Sequence, residues 1–153
     1  MLIENKADIQ AATFNGFTPV YTASDRGHLE CLRLLIENKA DLQAAVFTGR
    51  TPVYIASQGG HLECLRLLIQ NNADIKAAMR NGRTPVSIAC HFGSLECLRL
   101  LIENKADVEA IMGMGSTPVF TASQRGHLEC LQLLIENKAD IQAATFNGFT
   151  PVY

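Results

Sequence analysis

Thr-Pro-Val stands at Thr18, Thr51, Thr84, Thr117 and Thr150, each 33 residues after the last. Leu-Glu-Cys-Leu keeps the same step at Leu29, Leu62, Leu95 and Leu128, and no insertion breaks the register. A fixed period of about 20 to 50 residues marks a solenoid, in which each unit buries its apolar face against its neighbours. No linker or internal boundary is expected. The chain reads as one domain over 1–153: a partial repeat 1–14, repeats 15–47, 48–80, 81–113 and 114–146, and a partial repeat 147–153.

Within a unit, Thr18 before Pro19 reads as an N-cap followed by proline at the first helical position, where its missing N–H costs nothing. A short helix runs through Ala23 and stops near Gly27. A second runs from about Leu29 to Asn38, with Leu29, Leu32, Leu35 and Ile36 at helical spacing and Cys31 and Leu34 widening the buried face. An extended stretch follows. Its turn signal is a glycine after Asn or Thr at Asn15-Gly16, Thr48-Gly49, Asn81-Gly82 and Asn147-Gly148; at Met114-Gly115 only the glycine is kept.

The run Asn15-Gly-Phe-Thr-Pro-Val-Tyr, with Ala23, Gly27-His28, Leu34-Leu35 and Ala40-Asp41 at their places, resembles the ankyrin repeat over essentially the whole chain. The resemblance implies an all-α solenoid of stacked antiparallel helix pairs with hairpin-like loops. It also implies protein binding through the concave face. Three positions depart from the family. Tyr21, Tyr54, Ser87, Phe120 and Tyr153 replace a histidine. Lys39, Asn72, Lys105 and Lys138 replace a glycine, so Asn38, Asn71, Asn104 and Asn137 are expected to take the left-handed cap. Val46, Met79, Met112 and Thr145 replace the acidic or amide residue that opens the finger loop, which is therefore expected to be held differently.

Copies within the chain can be compared with one another. The capping, turn and packing residues are constant. Variation gathers on the fingers, at Phe47, Arg50, Arg80, Asn81, Arg83, Met114 and Ser116, and late in the first helix, at Asp25, Arg26, Gln58, His91, Phe92, Gln124 and Arg125. With Phe17, these are the residues that the resemblance places on the partner-binding groove. In the divergent third unit, Phe92 among Arg80, Arg83 and Arg125 reads as an apolar anchor with cationic neighbours.

Residues 2–21 are identical to residues 134–153. Neither end carries the polar capping unit that keeps a solenoid soluble, and the charged fraction of 18% suits internal-type units. The chain thus reads as an excerpt of a longer or assembled array. The alternative function is self-association, end to end or by exchange of terminal segments, through Leu2, Ile3, Ile9, Val152 and Tyr153.

Catalysis is not expected. The cysteines Cys31, Cys64, Cys97 and Cys130 recur in register and read as small core residues, and with Cys90 they make an odd number without a Cys-x-x-Cys pair. No cofactor or metal is expected. Free thiols fit a reducing, intracellular setting, cytoplasmic or nuclear. His28, His61 and His127 sit where a packing or capping role is expected, and Cys90-His91 are helix neighbours that point apart. A net charge of −2 argues against nucleic acid as a partner, and no apolar run is long enough to span a membrane. A hydrophobic content of 48% excludes a disordered chain.

Overall fold

The computed structural model describes residues 7–143. Among them the regular structure is helical, with no strand. Four pairs follow one another: α1 (Pro19–Arg26) and α2 (Leu29–Glu37), α3 (Pro52–Gly59) and α4 (Leu62–Gln70), α5 (Pro85–Phe92) and α6 (Leu95–Glu103), α7 (Pro118–Arg125) and α8 (Leu128–Glu136). The first helices stack α1 on α3 on α5 on α7, and the second helices form a looser row behind them. Small side chains permit the close stacking, since Ala23, Ala56, Ala89 and Ala122 lie buried in the first helices. Val20, Val53, Val86 and Val119 fill the same layer, and Leu32, Leu65 and Leu98 close it from behind.

Each first helix starts as its sequence dictates. The Oγ1 of Thr18 accepts the N–H of Tyr21 at 3.1 Å, and Thr51 does the same for Tyr54 at 3.1 Å. Each stops at a glycine in the left-handed region, with φ 70° at Gly27 and 69° at Gly60.

The second helices end differently from the sequence expectation. Asn38 has φ −98°, and the left-handed residue is Lys39 at φ 63°. Asn72, Lys105 and Lys138 repeat it at φ 64° to 66°. The Lys39 N–H donates to the Ile36 carbonyl at 2.9 Å and the Ala40 N–H to that of Leu35 at 3.0 Å, a complete Schellman closure. Asn38 is turned to another use: its Nδ2 donates to the Leu34 carbonyl at 2.9 Å. The amide thus satisfies a last-turn carbonyl, and the backbone reversal falls one residue later.

The fingers are held by backbone. Val46 N–H donates to the Arg50 carbonyl at 3.0 Å and Gly49 N–H to that of Val46 at 2.8 Å; Met79 and Met112 open equivalent loops. No acidic side chain is needed at the opening position, and Val46 and Met112 are buried there. The fourth finger turns through two left-handed residues, Met114 (φ 64°) and Gly115 (φ 79°).

Two side-chain systems join one pair to the next. The Nε2 of His61 lies 2.9 Å from the Asp25 carbonyl, and that of His127 lies 3.1 Å from the His91 carbonyl. A carbonyl oxygen only accepts, so Nε2 carries the proton in both. These histidines cap no helix N-terminus through their side chains; they bind the unit before. On the opposite edge, Gln10 Oε1 accepts the Asp41 N–H at 3.0 Å while its Nε2 donates to the Lys39 carbonyl at 3.3 Å. Gln43 repeats this on Asp74 and Asn72.

Candidate functional site

None of the fifteen groove residues named from the sequence is buried: Arg50, Gln58, His91 and Ser116 are half-buried and the others exposed. Those of the first pair make mostly local contacts. Phe17 stacks on Tyr21 with ring centroids 5.3 Å apart. Arg26 and Asp25 form an exposed ion pair at 3.8 Å, a contact worth little in water. Phe47 is exposed on its finger and packs beside Gly16 of the finger before.

Between fingers and first helices, a tyrosine of one unit meets an arginine of the next. Tyr21 lies beside Arg50, and Tyr54 beside Arg83, close enough for each guanidinium to act on the phenol. Both phenols are buried, and burial pushes each up from the ordinary tyrosine value against the opposing pull of the guanidinium. Each pair joins a first helix to the finger of the next unit. The Nε of Arg50 is buried there with no hydrogen-bond partner.

At the third junction both members change, to Ser87 and Ser116. The Ser87 hydroxyl turns back into its own N-cap: it accepts the Thr84 N–H at 2.9 Å and donates to the Thr84 carbonyl at 2.9 Å. With the phenol and guanidinium gone, a cavity of about 240 Å³ opens. Seven of the fifteen sequence-named residues line it: Asn81, Arg83, His91, Met114, Ser116, Gln124 and Arg125. Gly113, a variable finger position, completes the wall with Ser87, Met112 and Thr121, which the sequence did not assign to the groove. The signal that could have found them is the paired change, Tyr with Arg twice and then Ser with Ser.

The cavity is cationic. Among the described residues no carboxylate pairs with Arg83 or Arg125, whereas Arg33, Arg66 and Arg99 each pair with a glutamate on the second helices. The His91 imidazole is held below the ordinary histidine value, first by burial, then by Arg125, Arg83 and His127. Phe92 lies outside the cavity, half exposed at 52%, with its ring tilted on the His91 imidazole at 4.9 Å. It is therefore an exposed apolar rim beside the cationic hollow.

The cysteines divide. Cys64, Cys90, Cys97 and Cys130 are buried, and burial raises all four thiols, Cys97 and Cys130 to about 11. Cys31 departs from the core reading: it is exposed. Cys31 lies on α2, in the first described pair. There Pro19, Thr22, Ala23, His28, Cys31 and Leu34 surround an open apolar hollow of about 380 Å³. Of the residues assigned to self-association, Ile9 is half-buried against the core. Leu2, Ile3, Val152 and Tyr153 lie outside the described residues.

Compared with models of protein families, the chain matches the one described as ankyrin repeats (3 copies), over residues 1–79 and again over 74–145. No curated protein matches it significantly. Among the described residues, no helix is long and apolar enough to cross a membrane.

Proposed function

The chain belongs to the ankyrin repeat family, and from that premise we propose that it is a non-catalytic scaffold that binds a protein partner in the groove between its fingers and first helices. One observation carries the reading. The fifteen groove positions, which differ between otherwise near-identical units, are all at least partly solvent-accessible, and seven of them converge on one cavity. Drift on a surface would scatter; here the differences meet. Ankyrin repeats as a family mediate protein–protein interaction, and the variable, accessible groove is the surface for it. Five free cysteines accord with an intracellular setting.

The test is a selection of binders from a random peptide display library against the whole chain. Binders should be lost with Arg83→Glu and Arg125→Glu and kept with Arg99→Glu, which lies on the second-helix row. Binders that ignore the groove variants and fall away with the control would sink the assignment.

A second reading, head-to-tail association, has its own observation. Leu34 is 47% exposed, while Leu100 and Leu133, at the same place in later units, are 6% exposed. At the other end of the described pairs Leu128 and Ile135 are exposed. A second copy stacked in register would cover both faces by the contacts already used inside the chain. Sedimentation across a wide concentration range decides it: the association should weaken with Leu34→Glu, and a strict monomer at high concentration rules it out.

A further inference from the structure

We infer that the cavity at the third junction receives the carboxylate side chain of an aspartate or glutamate from a bound polypeptide, with Arg83 and Arg125 as its two cationic walls. The inference deepens the scaffold reading and rests on it for the polypeptide; the anion specificity rests on the cavity alone.

The cavity exists because of two coupled substitutions. At the first two junctions a buried tyrosine stands beside the arginine of the next finger, Tyr21 by Arg50 and Tyr54 by Arg83. Ser87 and Ser116 remove both members of that pair at once, and the Ser87 hydroxyl is already committed to the Thr84 cap. The cationic lining remains. Arg83 reaches in from the finger before Ser87, Arg125 from the end of α7, and His91 from the end of α5. Asn81, Ser116 and Gln124 supply uncharged donors at the mouth, and no Asp or Glu lines the wall. An arginine offers a planar fork of N–H donors matched to a carboxylate, and a half-enclosed site strengthens the attraction relative to open water. Phe92 and Met114, both exposed at the rim, give apolar footing for the residues beside the acid.

The probe is N-acetyl-glutamic acid α-amide, with N-acetyl-glutamine amide as the neutral isostere and N-acetyl-phosphoserine amide as the alternative anion. Each is titrated into the whole chain while the imidazole resonances of His91 and the Nε–H resonances of Arg83 and Arg125 are followed. The glutamate probe should move all three groups saturably and the glutamine probe should not. Arg125→Gln, an exposed position that folding tolerates, should abolish the response. The double change Ser87→Tyr with Ser116→Arg should refill the hollow and abolish it as well. Equal response to the glutamine probe, no response to the glutamate probe, or survival of binding in the refilled variant overturns the inference. Tighter binding of the phosphoserine probe overturns the carboxylate assignment. The scaffold reading fails separately, by the display selection, and is untouched by a negative result with these probes.

Discussion

The side-chain oxygen of Gln43 accepts the backbone N–H of Asp74 at 3.0 Å, across the seam between one helix pair and the next. Gln10 makes the same bridge to Asp41 at 3.0 Å, and Glu109 accepts the N–H of Asp140. The third seam has Lys76 in the bridging place, and a lysine ammonium cannot accept an N–H. A small hollow of about 130 Å³ beside Lys76, Ala106 and Asp107 marks the gap. Lys76→Gln should restore the bridge and stabilise the array by about 1 kcal/mol, the net worth of an ordinary hydrogen bond. Gln43→Ala should cost a similar amount. Urea midpoints of the three proteins check this; a Lys76→Gln midpoint at or below the parent would refute it.

Two residues with nearly the same backbone angle should respond in opposite directions. Lys105 sits at φ 66°, where a side chain is strained, and is exposed. Lys105→Gly should therefore stabilise by about 0.5–1 kcal/mol, the relief outweighing the entropy glycine loses on folding. Gly27 sits at φ 70°, and a Cβ there would come within 2.6 Å of His61 Nδ1. Gly27→Ala adds backbone strain and displaces the imidazole that binds the Asp25 carbonyl, a loss of about 2 kcal/mol or more. Both are read from denaturant curves. The distinction fails if Lys105→Gly destabilises.

The period was legible because the units repeat without insertion, and the Thr-Pro starts, the glycine stops and the apolar faces because each depends on residues close together along the chain. The left-handed residue was misplaced by one position. The local rule that Asn tolerates αL is sound, yet it yielded to the bond Asn38 makes with Leu34. What stayed hidden lies between units. Tyr54 and Arg83, like Gln43 and Asp74, are remote along the chain and meet only through stacking. Cys31 looks like Cys64 in sequence; what differs is the neighbour that covers it. Near-identity of the copies did make one such link readable in principle. Tyr21 with Arg50, Tyr54 with Arg83, Ser87 with Ser116 and Phe120 with Phe149 change together, the last partner lying outside the described residues.

Thiol labelling should separate the cysteines. The thiolate is the reacting species, and burial disfavours it. Cys97 and Cys130, raised to about 11, and Cys90, raised well above its ordinary value, should resist a maleimide at neutral pH in the folded chain. Cys31 is exposed and should label first. Mass spectrometry should find one fast site, removed by Cys31→Ser, and all five sites only after denaturation. Fast labelling at Cys97 would contradict the packing described.

His91 gives the array a pH dependence whose sign is fixed by its surroundings. Burial first, then Arg125, Arg83 and His127, hold its folded value below the ordinary 6.5. The unfolded chain therefore takes up the proton first as pH falls. The contribution of His91 to stability is complete above pH 6.5 and is lost as pH falls through that value toward the folded one. The ring is only partly covered, so the effect on stability is small, and the resonance titration is the better measure. Arg125→Gln removes the largest of its charged neighbours and should move the His91 midpoint upward. A carboxylate held between Arg83 and Arg125 should move it upward too, because it adds the negative charge this corner lacks. Binding of such a group should then strengthen as the solution is made mildly acidic, until the ligand itself protonates. A His91 midpoint at or above 6.5 in the free protein, or one unmoved by Arg125→Gln, would show that the arginines do not act on this ring.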